Sequence, residues 1–258
     1  MVGLVDFSNP MFKYNYKGYT AIINQVIDIA INHFDKYNNL NLIISDQQIL
    51  ELFNPTYKDE IYSYNASNVF LENFINNKTR HNKHNAHTIA DIEDLKIRNK
   101  IFNDLLTPKK EIIEEVELLN KKLTIDDRTL ALQIRGTDKQ IEIPKVSDDV
   151  IIRSIEKFLK ENNLNKLFLS TDDIHYLELI KKYFSDNLLY NENNLISTDG
   201  QPIHFSKNRS RANKDVLLDV YLLSNCKYFL YCFSNVSYLA LTIGSKRLKN
   251  IKNINNEN

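Results

Sequence analysis

Residues Asp215 to Ile243 run DVLLDVYLLSNCKYFLYCFSNVSYLALTI. Three consecutive elements are legible in this region. Asn213 to Ser224 predicts a helix. Lys227 to Cys232 (KYFLYC) predicts a short buried strand. Ser234 then caps a second helix that runs to Ile243. The same grammar continues upstream. Leu130 to Ile134 is a strand that runs into Arg135-Gly136-Thr137-Asp138-Lys139, and Ser147 caps a helix to Lys160 with Asp148 and Asp149 in its first turn. Lys166 to Ser170 (KLFLS) is a strand ending in Thr171-Asp172-Asp173, with a helix over Ile174 to Phe184 and a further strand at Leu188-Leu189-Tyr190. Short buried strands alternating with helices predict an α/β fold whose parallel sheet is covered on both faces.

The first half repeats this character less regularly. Thr20 to Asp35 carries an apolar stripe (Ala21, Ile22, Ile23, Val26, Ile27, Ile29, Ala30, Phe34) and predicts a helix led by Gly18. Leu40 to Ser45 predicts a strand, and Asp46 caps a helix over Gln47 to Leu52. Residues 53–90 are rich in Tyr, Asn and His and predict loops with short irregular elements. Residues 91–123 predict two helices parted near Thr107-Pro108; the second, Lys110 to Lys122, is acidic at its start, as the helix dipole favours. A change of style in the 123–128 region divides the chain into residues 1–125 and 126–258. The Asn-rich tail after Lys249 is expected to fray.

Composition narrows the function classes. The chain has 258 residues, 43% hydrophobic and 26% charged, which suits a globular protein with a substantial core. Lys+Arg and Asp+Glu are both 33, so the formal charge is zero, which argues against nucleic-acid binding but leaves room for a local anion site. The 5 glycines give no glycine-rich phosphate loop, so each is a candidate special backbone position. Cys226 and Cys232 are six residues apart around one strand, too far to bridge, and are expected to be reduced core residues. The N-terminus has no signal-peptide pattern, and no run approaches the roughly 18 apolar residues a transmembrane segment needs. The expectation is a cytoplasmic protein, at most peripheral to a membrane.

Parallel sheets bind ligands beyond the carboxyl ends of their strands. Three such ends carry polar residues here: Arg135 to Lys139, Ser170 to Asp173, and Phe233-Ser234-Asn235. An arginine can fork two phosphate oxygens, a serine-led helix start can cradle an anion, and Asp219 can accept from a base or ribose edge. Taken singly, each string has a structural explanation: a surface turn for Arg-Gly-Thr-Asp, a cap for Asp172-Asp173 or Ser234-Asn235, a surface charge for Asp219. Their convergence on one sheet edge is what points to a site. His81, His84 and His87 have a spacing that would suit zinc on a helix, but their Asn-rich surroundings favour a solvated loop. Arg80 or His87 could instead line an acceptor cleft. Asp126-Asp127 and Asp148-Asp149 have turn and capping explanations rather than metal-binding ones.

LALQIRGTDK (Leu130 to Lys139), KLFLSTDD (Lys166 to Asp173) and the Asp215 to Ile243 stretch together resemble the three motifs of the α-1,6- and protein O-fucosyltransferase superfamily, in order and spacing. The resemblance covers residues 128–245, about half the chain. It implies a GT-B-like pair of Rossmann-like domains with parallel sheets. Residues 126–258 would bind a nucleotide sugar, and a reduced domain of residues 1–125 would face the acceptor. It implies inverting transfer from GDP-fucose, the donor substrate, to a glycan or glycolipid acceptor, with no cofactor and no metal. Arg135 matches the arginine that holds the β-phosphate. Asp172 and Asp173 match the acidic pair near the donor. Asp219 matches the carboxylate that recognises guanine, and Ser234, between Phe233 and Asn235, matches a phosphate-binding serine.

Several positions depart from the pattern. Gln133 stands where the family has His, Gly136 where it has a second Arg, and Asn235 where it has a second Ser. For the acceptor-activating base, Glu142 ranks ahead of Asp138. These departures support an alternative: a non-catalytic protein that binds a GDP-sugar or glycan on the same fold. The sequence does not indicate the oligomeric state.

Overall fold

The computed structural model describes residues 4–6, 18–37, 40–43, 47–55, 62–64, 92–137, 145–205 and 207–257. The second half is built on a five-stranded parallel sheet. Its strands are β6 (Thr129–Ile134), β7 (Lys166–Thr171), β8 (Leu188–Leu189), β9 (Tyr228–Tyr231) and β10 (Asn250–Asn253), in the order β10-β9-β6-β7-β8. All six residues of β6 are buried, as expected of a central strand covered on both faces. Side chains alternate across the sheet with period two. Ala131, Phe168, Phe229 and Tyr231 face one apolar cluster, and Leu130, Leu132, Ile134, Leu167, Leu169 and Leu230 face the other.

Helices α5 (Asp148–Glu161) and α6 (Ile174–Phe184) cover the second face, while α7 (Arg209–Ser224) and α8 (Asn235–Gly244) cover the first. Each starts on a side-chain cap. Ser147, Asp173, Asn208 and Ser234 accept from the N–H groups of Val150, His175, Arg211 and Ser237. Helices α7 and α8 meet closely at their ends. A Cβ on Gly244 would lie 2.8 Å from the Ser224 carbonyl oxygen, so only glycine fits there. Both cysteines are free and buried, and burial pushes each thiol up to about 12, which makes them inert core groups.

The tail differs from expectation. Residues 250–253 do not fray but pair in parallel with β9, and Ile254 is fully buried beneath the sheet. The Asn255 Oδ1 then accepts from the Phe233 N–H at 2.9 Å. An Asn-rich composition hid a strand whose side chains are mostly half-exposed and whose support is main-chain pairing.

The first half contributes β1 (Leu4–Asp6), α1 (Tyr19–Tyr37), β2 (Leu40–Ile43), α2 (Gln47–Leu52), β3 (Phe53–Pro55), β4 (Tyr62–Tyr64), α3 (Ile92–Leu105), β5 (Leu106–Pro108) and α4 (Lys110–Leu123). Strands β1 and β2 are parallel, as expected for this half, and β4 adds to β2 antiparallel. The break at Thr107-Pro108 is itself a short strand, β5, paired antiparallel with β3. Residues of α1, α3 and α4 share one apolar cluster with α7, α8 and the sheet.

A polar network crosses that cluster. Arg98 of α3 is 1% exposed and forms an ion pair with Asp28 of α1. Its guanidinium lies 4.2 Å over the Tyr238 ring of α8, and its Nη2 donates to Asn24 Oδ1 at 3.4 Å. Asn24 Nδ2 donates onward to the Asn235 carbonyl at 3.0 Å, and Asn99 Nδ2 donates to the Ile243 carbonyl at 3.1 Å. Helix α8 is thus held near both ends by the first half. Arg98 is fully buried and Asp28 half-buried, so removing the arginine leaves a partly desolvated carboxylate uncompensated and empties the space the arginine fills. Arg98→Ala is therefore expected to lower unfolding free energy by about 3–5 kcal/mol, read from urea denaturation. A loss within the range of an exposed surface substitution, about 0.5 kcal/mol, contradicts the role given to this network.

Candidate functional site

Strand order reverses between β6 and β9, and the chain leaves their carboxyl ends toward opposite faces. A crevice opens at such a point. Here a cleft is lined by Gln133 and Arg135 after β6, Ser170 to Asp172 at the end of β7, and Asn213, Asp215 and Asp219 on α7. Gly18, Tyr19 and Thr20 at the start of α1 close it from the first half, and Asn194 and Leu195 close it from a loop.

The loop after β6 is held by one carboxylate. Asp172 Oδ1 accepts from the Gly136 N–H at 2.8 Å, and Oδ2 accepts from Thr137 Oγ1 at 2.7 Å. The same Oδ2 lies 3.3 Å from Arg135 Nε, and both side chains are mostly buried. Asp172 therefore orients the arginine and shapes its loop. Its neighbour Asp173 has a different task. It caps α6 by accepting from the His175 N–H at 2.9 Å, and it does not line the cleft. A Cβ on Gly136 would fall 2.3–2.7 Å from Asp173 side-chain atoms. Glycine stands at 136 because the capping aspartate occupies that space.

Asp219 lies at the floor. It is 3% exposed, and its Oδ1 is buried with no hydrogen-bond partner. Burial raises its pKa to about 6, against the lowering effect of hydrogen bonds from Ser170 and Asn194, and the charge of Asp215 raises it further. Asp215, one turn earlier on α7, is also raised, chiefly by burial, although Leu195 N–H donates to it at 3.1 Å. A partnerless buried carboxylate oxygen beside a cleft is an acceptor awaiting a donor. Strand alternation brings Ser170 to it: Ser170 follows Phe168 by two, faces α7, and is in register with Gln133.

Gln133, Arg135, Asp172 and Asp219 thus share one cleft, while Asp173, Phe233, Ser234 and Asn235 do not line it. The Ser234 hydroxyl is fully buried; it caps α8 and bonds to Gln133. Asn235 instead receives Asn24 from the first half. Asp138, Glu142, Arg80 and the three histidines at 81–87 lie outside the described residues, as does Asp46. Asp127 is paired with Lys227, and Asp126 with Lys166 at 2.7 Å, at the opposite edge of the sheet. Among the described residues no group of three or more His, Cys, Asp or Glu is placed to hold a metal ion. Nor is any described helix long and apolar enough to cross a membrane. The sequence reading missed Asp215, Asn194 and Ser237. The i,i+4 spacing from Asp219 and the cap spacing from Ser234 signal the first and third; Asn194 comes from a loop without a local signal.

No family model matches the chain, and no curated protein does. Solved structures do. The chain is similar in fold to NodZ α-1,6-fucosyltransferase soaked with GDP-fucose, with a TM-score of 0.54 at 11% identity over 88% of this chain and 89% of that one. NodZ co-crystallised with GDP aligns at a TM-score of 0.40 and 14% identity, over 57% of this chain and 44% of that one. POFUT1 in complex with GDP-fucose aligns at 0.44 and 11%, over 62% and 48%. In those two alignments the chain spans under half the length of the matched protein. The likeness is one of fold, and it bears out the α/β, GT-B-like architecture expected from the sequence.

Two outcomes test this geometry. An aspartate usually titrates near about 3.9. With its folded value raised to about 6, Asp219 holds an extra proton in the native state between those values. Its stabilising contribution is complete below about pH 4 and is lost as pH rises through about 6. Wild type is therefore expected to lose about 3 kcal/mol relative to Asp219→Asn between pH 4 and 7. Superimposable pH profiles of the two proteins would contradict the burial. Separately, Gly136→Ala is expected to cost about 1–2 kcal/mol through loss of the α6 cap. Added to Asp173→Ala it should cost far less, and additive melting-temperature losses would refute the clash.

Proposed function

We propose that the chain is a glycosyltransferase that takes a GDP-sugar donor, GDP-fucose first among them, and passes the sugar to a glycan or glycolipid. One observation carries this reading: the cleft at the strand reversal joins Arg135, Asp172 and Asp219, whose Oδ1 has no partner, from three distant segments. Arg135 supplies fixed positive charge for a diphosphate, and Asp172 holds that charge in place. Asp219 accepts from the donor edge of guanine. Residues 126–258 form the donor side in this proposal and residues 1–125 the acceptor side, with α1 bordering the cleft between them.

The reaction is an inverting displacement that needs no metal. The acceptor oxygen bonds to the anomeric carbon from the face opposite the diphosphate. The anomeric C–O bond breaks, and its electron pair leaves with GDP. Arg135 offsets the charge that develops there. The hydroxyl proton passes to a base, for which Glu142 ranks ahead of Asp138. The fold similarity to NodZ supports the reading at the level of fold. A second reading, a GDP-sugar or glycan binder without transfer, is favoured by Gly136, whose surroundings leave no room for a second arginine.

GDP is expected to raise the melting temperature without added metal, and Arg135→Ala to abolish the shift. A shift with UDP plus manganese and none with GDP overturns the proposal. Release of GDP from GDP-fucose across a glycan panel separates the two readings, because the binder gives none. If guanine donates to Asp219, GDP should bind more tightly as pH rises from 5 to 7 through about 6. That dependence should vanish in Asp219→Asn.

A further inference from the structure

Asp215 lines the cleft but is not among the positions to which the family resemblance gives a role. It stands one turn before Asp219 on α7, and residues four apart on a helix are surface neighbours. Their supports set their order along the cleft. Asp219 is bonded by Ser170 at the end of β7, which is in register with Gln133, two residues before Arg135. Asp215 lies one turn farther toward the start of α7, against Leu195 and Arg211. The apolar side chains of Leu195, Ala212 and Val216 line the cleft around it. Its carboxylate is half used. Oδ2 accepts from the Leu195 N–H at 3.1 Å and lies 3.7 Å from Arg211 Nε, and neither contact is to Oδ1. Anchoring through Oδ2 fixes the side chain and leaves Oδ1 as the acceptor for a ligand. Like Asp219, the group is held above the usual carboxylate range chiefly by burial, so an arriving donor relieves a real cost.

We infer that Asp215 is a second reader of the nucleobase, accepting from the exocyclic amine of guanine while Asp219 accepts from the ring N–H beside it. The inference rests on the nucleotide reading above. Guanine carries these two donors side by side on one edge, and two carboxylates one turn apart match them. Adenine sets its amine next to a bare ring nitrogen, whose lone pair would face a carboxylate. Hypoxanthine keeps the ring N–H but lacks the amine. It satisfies Asp219 and leaves Asp215 desolvated without a donor. A site built to bond a group rejects the analogue that lacks it. The ribose does not compete for Asp215. It lies between base and diphosphate, and so falls on the Arg135 side of Asp219, away from Asp215. Leu195, Ala212 and Val216 supply apolar contact for the flat faces of the base.

The test compares GDP by calorimetry with inosine diphosphate, which differs only in lacking that amine. Wild type is expected to bind GDP about tenfold or more tightly than inosine diphosphate. Asp215→Asn keeps an oxygen for the Leu195 N–H and turns an amide nitrogen toward the guanine amine. It is expected to weaken GDP about tenfold and to leave inosine diphosphate within about twofold, so that the preference disappears. Asp219→Asn should weaken both nucleotides and keep their ratio, because both carry the ring N–H. Equal affinity of the wild type for the two nucleotides overturns the inference, and that measurement stands even if an Asp215 variant unfolds. Parallel weakening of both nucleotides in Asp215→Asn also overturns it, by reducing Asp215 to a support for the Leu195 loop. Failure of the wild type to bind GDP is a separate result, which overturns the nucleotide reading itself.

Discussion

The handedness of parallel crossovers is the constraint on which the rest depends. A strand, helix, parallel strand unit turns right-handed. From β6 the chain moves through β7 to β8 with α5 and α6 on one face; it then crosses to β9 and β10 with α7 and α8 on the other. A right-handed chain that reverses its direction of travel must change faces. The loops after β6 and β9 therefore diverge, and a crevice between them is geometrically required. Its polar contents are matters of local sequence, but its place is not.

The crevice and its surroundings depend on buried and half-buried polar groups, each held by a different element. Asp172 organises the β6 loop, Asp173 caps α6, and Gln133 ties β6 to α8. Arg98 and Asn24 carry the same logic into the first half, where α1 and α3 reach the start and end of α8. Buried polar groups are costly unless satisfied, so each contact restricts the packing alternatives. The five-stranded sheet and the helices of the first half consequently share a core while their sheets remain separate.

Much of this was legible in the sequence because it is local. Ser147 and Ser234 were readable as caps, the helix from Ile174 to Phe184 has the bounds expected, and the buried strands announced themselves as apolar runs. What was not legible depends on residues distant in the chain. Strand β5 exists only because Phe53–Pro55 lies beside it, and β10 only because β9 offers an open edge. The site divides in the same way. Arg135, Asp172 and Asp219 were found from motif positions. The inward turn of Ser234, and the separate duties of Asp172 and Asp173, depend on packing that no single segment encodes.

The contact between Gly136 and Asp173 has an evolutionary consequence. These two positions belong to loops after neighbouring strands and compete for one volume. A side chain at 136 requires a smaller or displaced residue at 173, and then a different cap for α6. Lineages of this fold that carry a large residue at the first position should show a compensating change at the second. The pair would drift together as one inherited unit, and the choice made there decides how many cationic groups the loop can bring to the cleft.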